Sequence, residues 1–206
     1  DGGALVMSHN FTQPDAYIPP ELIGVTHSVT PEQFERLCRK HRDLRLELTS
    51  TGELIVMSGT GFETGLRNAN LTYQLVNWAR KDATGVCPDS STIFALPNGA
   101  RRSPDASWVK REKCERLTLR ERKGFAPICP DFVVELRSET DRLSQLCRKM
   151  EEYIANGAAM GWLIDPLTRR VHIYRPDQKP FILENPETVS GDPLLPGFKL
   201  ETAELW

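Results

Sequence analysis

The sequence predicts an α/β fold in which a central mixed β-sheet is flanked by helices, with an N-terminal helix and a β-hairpin ahead of it. Apolar residues recur at helical spacing over residues 62–80 and again over residues 143–154. Short alternating or continuous apolar segments lie between and beyond these helices. A strand, a helix and a second strand follow one another over residues 131–165, which is the order of a crossover connection between parallel strands. These patterns together favour a mixed sheet covered by helices.

The length and composition are those of a globular protein. The chain has 206 residues, of which 39% are hydrophobic and 26% charged. Residues 1–25 include several Gly and Pro and show no apolar periodicity, so we expect a flexible arm or leader before a single domain over residues 26–206. No apolar run approaches the roughly 18 residues that span a bilayer. We therefore expect a cytoplasmic protein without a membrane partner.

The first predicted elements are a short helix and a hairpin. The motif Thr30-Pro31-Glu32-Gln33 combines a cap residue, a proline in the first turn and a glutamine three positions after the cap. It predicts a helix that ends near His41. Apolar residues on both sides of the turn at Thr51-Gly52 predict a β-hairpin over residues 44–57.

The middle of the chain predicts three strands. Two extended segments, residues 91–96 and 103–109, are separated by Asn98-Gly99, a strong hairpin signal, and Asp105 is expected on the second strand. Residues 132–136, F-V-V-E-L, form a nearly continuous apolar run with one carboxylate. Such a run is typical of a central strand that is buried on both faces.

The last third predicts a helix, two strands and a wrapping tail. The helix over residues 143–154 is closed by Asn156-Gly157. Residues 161–165 and 171–174 then form two strands around a turn. The following tail is rich in Pro and Gly, and we expect it to end in a short strand near residues 198–200.

Cysteine, histidine and charge patterns exclude several classes of site. The five cysteines are widely spaced without a C-x-x-C pair, and the four histidines never fall at the i, i+4 spacing of zinc hydrolases. A formal net charge of −2 argues against binding nucleic acid through bulk charge alone. Residues 101–123 are nevertheless basic, with nine Lys or Arg against four Asp or Glu. A solvated charged face is the alternative interpretation of that stretch.

Two carboxylates on neighbouring predicted strands form a candidate metal site. Asp105 lies in S-P-D and Glu135 in V-E-L-R. Mg²⁺ binds oxygen ligands and needs only one or two protein carboxylates, the remaining positions being filled by water and substrate phosphate. An ionised Glu135 inside an apolar run is costly unless it is paired or metal-bound. The alternative is a buried ion pair with an arginine such as Arg137 or Arg148.

Four segments carry a resemblance to a known family. They read RLELTSTGELIVMS at 45–58, RSPDASWV at 102–109, CPDFVVELRS at 129–138 and KMEEYIANGAAMGWLIDP at 149–166. In this order and spacing they resemble the putative restriction endonucleases of bacteria, a branch of the PD-(D/E)XK nuclease superfamily. The resemblance implies a restriction-endonuclease-like core and a metal-dependent endonuclease, a hydrolase acting on DNA phosphodiester bonds. It also implies that Mg²⁺, with Mn²⁺ able to substitute, is held by Asp105, Glu135 and the backbone carbonyl of Leu136.

The chain departs from the superfamily signature at Arg137, which stands where a lysine is expected two residues after the second acid. Arginine cannot lose a proton to act as a base, although it can stabilise charge on a phosphate. The following helix offers Lys149 in a polar stripe with Arg142 and Gln145. We therefore predict Lys149 as the displaced catalytic lysine, with Arg137 as the fallback. An ordinary surface lysine is the alternative.

A further acid on an early helix is implied by the same resemblance, and Glu63 is the candidate. Glu63 begins a polar stripe that includes Arg67 and Asn70 and could face a substrate cleft. A stripe that faces solvent is the alternative. Glu47 on the predicted hairpin is a weaker candidate for a third ligand.

DNA is the expected partner, and the basic stretch is expected to contact its phosphate backbone. The residues predicted for this contact are Arg101, Arg102, Lys110, Arg111 and Lys113. Because a double-strand cut needs two active sites, we also expect a homodimer with twofold symmetry.

Two other functions compete with this prediction. Gly59-x-Gly61-x-x-x-Gly65 follows a strand and opens a helix like a dinucleotide-binding loop, but its spacing is one residue too long and its strand belongs to a hairpin. The second is a catalytically inactive nuclease fold that serves as a DNA-binding or protein-interaction module. Arg137 in place of lysine leaves that alternative open.

Overall fold

The computed structural model describes residues 4–6, 28–57 and 59–206. Five helices and thirteen strands lie in this part of the chain. The helices are α1 (Pro31–Lys40), α2 (Phe62–Asp82), α3 (Arg111–Glu115), α4 (Leu119–Lys123) and α5 (Leu143–Ala155). The strands are β1 (Ala4–Val6), β2 (Arg45–Leu48), β3 (Leu54–Met57), β4 (Gly85–Val86), β5 (Phe94–Ala95), β6 (Arg101–Arg102), β7 (Ala106–Lys110), β8 (Phe132–Leu136), β9 (Met160–Asp165), β10 (Arg170–Tyr174), β11 (Phe181–Glu184), β12 (Thr188–Ser190) and β13 (Lys199–Glu201).

A six-stranded mixed sheet in the order β11-β10-β9-β8-β7-β4 forms the centre of the fold. Its β8 and β9 are parallel and are joined through α5, while the other neighbouring pairs are antiparallel. Every residue of β8 and β9 is buried. The predicted α/β fold with a central mixed sheet flanked by helices is confirmed, as are the crossover and the buried central strand.

A second sheet, in the order β1-β3-β2-β6-β5, is antiparallel and contains the predicted hairpin. Helix α1 packs beside it and begins as predicted, because the Thr30 side chain accepts from the Gln33 N–H while the Gln33 side chain accepts from the Thr30 N–H. The tail adds a two-stranded sheet of β12 and β13.

One face of the six-stranded sheet is covered by α2 and the C-terminal segment. Leu71 and Leu75 of α2 join Trp162 and Phe198 in one buried cluster. The rings of Trp162 and Phe198 stack with their centroids 5.9 Å apart. Burial of side chains of this size contributes about 1.5–3 kcal/mol each. This cluster fixes the helix that forms one wall of the cavity described below.

The other face of the sheet is covered by α5. Val133 of β8 and Leu163 of β9 pack against Met150 and Tyr153 of the helix. Since side chains alternate along a strand, Glu135 lies on the same face of β8 as Val133. The fold therefore directs the one carboxylate of the central strand toward α5.

The chain crosses from one sheet to the other just before Asp105. The predicted strand over residues 103–109 is wrong at its start, because residues 103–105 connect β6 to β7. Strand β6 pairs with β5 and β2 in the five-stranded sheet, whereas β7 pairs with β8 and β4 in the six-stranded sheet. Asp105 occupies a bend before β7 rather than a strand position. Pro104 lacks the N–H that would continue a ladder, and this favours the break.

One other prediction lies mostly outside the described residues, and one strand was not predicted. The predicted arm, residues 1–25, lies outside the described residues except for Ala4–Val6, which pairs with β3. Strand β11, on the edge of the large sheet, was not predicted. In the described ranges, no helix has the length and hydropathy needed to cross a membrane.

Gly85 should be required where β4 meets β7. A Cβ at this position would lie 2.3 Å from Cε2 of Trp108 and 2.5 Å from the carbonyl oxygen of Val109. Because the Trp108 ring is buried, it cannot move aside without disturbing the core. We expect Gly85→Ala to lower the free energy of unfolding by about 1–3 kcal/mol in urea denaturation.

Gly65→Ala is the matched control. Gly65 lies within α2, and a Cβ added there would contact only Cγ2 of Thr60, at 3.6 Å. We expect Gly65→Ala to raise the free energy of unfolding by about 0.5–1 kcal/mol, since glycine is unfavourable inside a helix. Similar unfolding midpoints for the two variants would contradict the packing described for β4 and β7.

Candidate active site

A cavity of about 330 Å³ opens between the β2–β3 hairpin, the start of α2, the end of β8 and the polar side of α5. Its wall is unusually rich in ionisable side chains. Those that carry the following argument are Arg45, Glu47, Asp105, Glu135, Arg142, Arg148 and Lys149.

Asp105 and Glu135 are brought together by the pairing of β7 with β8. Ala106 pairs with Val134, so Asp105, the residue before β7, lies beside the end of β8. Oδ2 of Asp105 accepts a hydrogen bond of 2.8 Å from the N–H of Leu136. Both acids line the same cavity, and their role as metal ligands stays a prediction.

Lys149 reaches the same point from α5. Its Nζ lies 2.9 Å from Oε1 of Glu135 and 2.9 Å from Oε1 of Glu47, and only 11% of its side chain is exposed. Tyr153, one helical turn later, donates its hydroxyl to Oε1 of Glu135 at 3.0 Å. The predicted location of Lys149 beside Glu135 is confirmed, and its interpretation as a surface lysine is wrong.

Glu47 connects the five-stranded sheet to this cluster. It is buried on β2 and accepts from the N–H of Ser103 at 2.8 Å and from Nη1 of Arg102 at 3.1 Å. Nε of Arg102 in turn lies 2.6 Å from Oε2 of Glu152 on α5. A continuous chain of charged contacts therefore runs from α5 through β6 and β2 back to α5.

The cluster contains more carboxylates than cations. The carboxylates are those of Glu47, Asp105, Glu135 and Glu152, and the cations are Arg102 and Lys149. Each of the two cations is already engaged by two acids, and Asp105 accepts from the backbone N–H of Leu136. In a region shielded from water, such an excess of negative charge favours either a bound proton or a bound cation.

The pKa directions follow from this arrangement. Burial raises the pKa of Glu135 to about 8, and the charges of Asp105 and Glu47 add to the rise while Lys149 opposes it. Burial also raises the pKa of Asp105, against the Leu136 N–H, Lys149 and Arg45.

The pKa values of Glu47 and Lys149 shift against the effect of burial. Burial would raise the pKa of Glu47, but Lys149 and Arg102 outweigh it and lower the pKa. Burial would lower the pKa of Lys149, but Glu135 and Glu47 outweigh it and raise the pKa. Lys149 is therefore an ammonium cation at neutral pH, and Glu135 is the carboxyl group of the cluster that most readily takes up a proton.

The donor set fits a hard divalent cation. Asp105 and Glu135 offer carboxylate oxygens, and Leu136 adds a backbone carbonyl at the same strand end. No group of three or more His, Cys, Asp or Glu side chains in the described ranges is arranged to hold a metal. Mg²⁺ does not require one, because it keeps several waters and binds through one or two carboxylates and substrate phosphate. The excess of carboxylates in the cluster also matches a cation of charge +2.

Glu63 is not brought to this cavity, which corrects the prediction for the early acid. The α2 side chains at the cavity are Thr64 and Asn68, whereas Glu63 lines a separate cavity with Glu204 and Trp206. Successive helical residues are about 100° apart, so a shift of one position separates the two faces. Glu47 is the third acid of the cluster instead. It shares with Glu135 the sequence signal of a carboxylate between two apolar strand residues.

Arg137 is also outside the cavity wall. Its Nη1 lies 2.8 Å from Oδ2 of Asp165, a fully buried carboxylate at the end of β9, and its Nε donates to the carbonyl of Asp141. The structure thus gives Arg137 a role in pairing a buried acid and contradicts its placement as the fallback catalytic residue. The alternative ion pair of Glu135 with an arginine is likewise wrong, because Lys149 and Tyr153 are the partners of Glu135.

Of the five residues predicted to contact DNA, Arg102 lines the cavity, whereas Arg101, Lys110, Arg111 and Lys113 do not. Arg102 is buried in ion pairs, Arg101 donates to the carbonyls of Gly99 and Ala100, and Lys113 lies 3.0 Å from Asp131. Lys110 and Arg111 are exposed, but they follow the far end of β7, about 17 Å from Asp105 at about 3.3 Å per residue.

The exposed cations at the cavity are instead Arg45, Arg142 and Arg148. They come from β2, from the residue preceding α5 and from α5 itself. The sequence does not identify them as a group because they are dispersed along the chain, and only the fold brings them to one opening.

The glycine-rich segment does not form a dinucleotide loop. The strand before it, β3, pairs antiparallel with β2, and Gly61 caps α2 without a parallel strand following that helix. A dinucleotide site requires a parallel βαβ unit. That alternative is therefore wrong.

Comparisons with known proteins agree with the resemblance seen in the sequence. A family model named Uma2 and described as putative restriction endonuclease matches residues 31–203. The fold is similar to the crystal structure of a putative nuclease belonging to DUF820 from Anabaena variabilis ATCC 29413, with a TM-score of 0.73 and 18% identity over 86% of this chain and 97% of that chain. No curated protein matches the sequence.

Removal of the Lys149 charge should destabilise the metal-free protein. Breaking a buried ion pair by deleting one partner costs about 3–5 kcal/mol. Glu135 can take up a proton when its cation is removed, which reduces this cost. We therefore expect Lys149→Met to lower the free energy of unfolding by about 3 kcal/mol, measured by urea denaturation in the presence of EDTA.

Arg148→Met is the matched control, since it removes an exposed cation from the adjacent position of the same helix. Arg148→Met should change the free energy of unfolding by no more than about 0.5 kcal/mol. Equal destabilisation by the two substitutions would show that Lys149 has no special place in the cluster.

Proposed function

The chain belongs to the Uma2 family of putative restriction endonucleases, and on that basis we propose that it is a metal-dependent endonuclease that hydrolyses DNA phosphodiester bonds. The observation that carries the proposal is the meeting of Asp105, Glu135 and Lys149 in one cavity. Two acids that can hold a cation and one fixed ammonium group are the parts that metal-assisted hydrolysis requires.

In this proposal Asp105, Glu135 and the carbonyl of Leu136 hold Mg²⁺, with Mn²⁺ able to substitute. When bound, the cation supplies Lewis-acid polarisation of the phosphodiester and lowers the pKa of a bound water. The N–H of Leu136 holds the Asp105 carboxylate by its Oδ2 at 2.8 Å. The Tyr153 hydroxyl holds Glu135 by its Oε1 at 3.0 Å, so that each acid is oriented before the substrate arrives.

Lys149 is proposed to orient the attacking water and to balance charge on the phosphate. Its raised pKa keeps it protonated at neutral pH, and burial, which alone would lower that pKa, is outweighed by Glu135 and Glu47. A protonated ammonium donates hydrogen bonds and cannot accept a proton. The carboxylates of Glu47 and Glu135 hold the ammonium between them at 2.9 Å each, which restricts its position at the cavity wall.

The substrate phosphates are proposed to contact Arg45 and Arg142 at the mouth of the cavity. Both are exposed and line the cavity from different elements, one at the start of β2 and the other just before α5. Guanidinium groups form paired hydrogen bonds with phosphate oxygens. A double-strand cut by such a site would use a homodimer with two cavities.

Cleavage of supercoiled plasmid tests the central proposal. We expect nicked or linear product with Mg²⁺ or Mn²⁺ and none with EDTA, while Ca²⁺ supports binding alone. Asp105→Asn and Glu135→Gln should abolish cleavage, because each removes a charged ligand but preserves side-chain volume. Glu63→Gln is the control and should cleave as the wild type does, since Glu63 lies in a separate cavity.

A second candidate function is favoured by one observation, namely that Arg137 stands in the place of the signature lysine and pairs with Asp165. In that case the fold is a catalytically inactive DNA-binding or protein-interaction module. Wild-type protein that binds DNA with a steep salt dependence yet never cleaves it with either metal would support this candidate against the nuclease.

The choice between Lys149 and Arg137 is tested by substituting each in turn. Lys149→Met should reduce the cleavage rate by about 100- to 10,000-fold, the range typical of removing a proton-handling or charge-balancing group. Arg137→Lys keeps a cation near Asp165 and should leave the rate unchanged. Anisotropy with Ca²⁺ and labelled DNA confirms that each variant still binds. A cleavage rate that rises in Arg137→Lys and is unchanged in Lys149→Met would reverse the assignment, because lysine is the residue expected at position 137.

A further inference from the structure

A second cavity, of about 380 Å³, adjoins the proposed active site. The two cavities share Arg45, Glu47, Met57 and Ser103 in their walls. The second one extends from this shared wall toward the end of α1 and the loop after it. The two cavities therefore lie side by side along β2, one at the proposed catalytic acids and the other toward α1.

The second cavity is basic. Arg39 and Arg42 from the end of α1 join Arg45 in its wall, and all three are exposed. Its one lining carboxylate is Glu47, which is already paired with Lys149 and Arg102. The wall therefore carries a net positive charge, unlike the carboxylate-rich centre of the first cavity.

The surroundings of these arginines leave them available to a ligand. Arg39 lies 3.6 Å from Glu35 with 68% of its side chain exposed, and such a surface pair contributes little. Arg45 donates from Nη2 to the carbonyl of Ser90 at 2.9 Å, which anchors its guanidinium group where the two cavities meet. An anchored arginine gives up less side-chain entropy when it binds an anion.

The remaining wall is apolar and partly aromatic. Phe125 and Ile93 line the cavity, and the ring of Phe125 is fixed by Phe34 of α1 at a centroid distance of 5.9 Å. Both side chains belong to the cluster beneath α1 and are only partly buried. Cations that follow a groove together with a fixed aromatic ring are the combination that binds a nucleic-acid strand.

We propose that this second cavity is a subsite for the phosphodiester backbone of the nucleic-acid strand next to the bond that is cut. Arg39, Arg42 and Arg45 contact successive phosphates, and Phe125 contacts a sugar or base. The inference rests on the proposed nuclease function. It replaces the basic stretch at Lys110 and Arg111, which follows the opposite end of β7, as the surface that grips DNA.

The test measures binding without cleavage. The parent protein carries Asp105→Asn, and its affinity for a labelled duplex and for the corresponding single strand is measured by anisotropy in Ca²⁺ over a series of salt concentrations. A variant with Arg39→Gln, Arg42→Gln and Arg45→Gln should bind more weakly. The slope of log affinity against log salt should become shallower by about 0.9 for each duplex phosphate that the variant no longer neutralises, or by about 0.7 for each phosphate of a single strand.

The matched control carries Lys110→Gln and Arg111→Gln in the same parent and should keep the parent's slope. An unchanged slope in the triple arginine variant overturns the subsite, and so does an equal change in the control. The duplex and single-strand arms show which form of the backbone occupies the cavity. Wild-type protein that neither binds DNA in Ca²⁺ nor cleaves it with Mg²⁺ or Mn²⁺ overturns both this inference and the nuclease function, whereas a cleaving wild type with an unaffected triple variant overturns the subsite alone.

Discussion

The ion pairs of Lys149 are the interaction on which the rest of the site depends. Its ammonium, carried by α5, joins Glu135 of the six-stranded sheet to Glu47 of the five-stranded sheet. Arg102 repeats the connection by joining Glu47 to Glu152 of the same helix. The two sheets and the helix therefore meet at this point through charges rather than through apolar packing. Buried charges are tolerated only when they are paired, so the relative placement of these three elements is narrowly restricted.

This arrangement also explains why a cavity persists between β2, β8 and α5. Apolar side chains would close the space between β2, β8 and α5, whereas carboxylates that exceed their cations repel one another. Burial raises the pKa of Glu135 to about 8, and repulsion from Asp105 and Glu47 adds to the rise. A bound divalent cation would relieve the repulsion, and in our proposal metal binding stabilises the folded protein.

Much of this site could be predicted from the sequence because its signals are local. Glu135 interrupts an apolar strand, and Lys149 lies on the flank of an amphipathic helix. Residues whose positions depend on packing between elements could not be predicted. Whether Glu63 or Thr64 faces the cavity depends on the rotation of α2 about its axis, which the sequence does not specify. The pairing of Arg137 with Asp165 depends on which strand lies next to β8. The break at Pro104 did have a sequence signal, the missing N–H, which the apolar pattern of residues 103–109 concealed.

The most direct test of the account is the position of a bound metal. Crystals grown with Mn²⁺ should give a single anomalous peak in this cavity, within about 2.0–2.3 Å of one oxygen each from Asp105, Glu135 and the Leu136 carbonyl. Lys149 should remain beside the cluster without contacting the ion. A peak held by other residues, or a cavity that stays without metal at a Mn²⁺ concentration that supports cleavage, would contradict the claim that these two acids form the catalytic metal site.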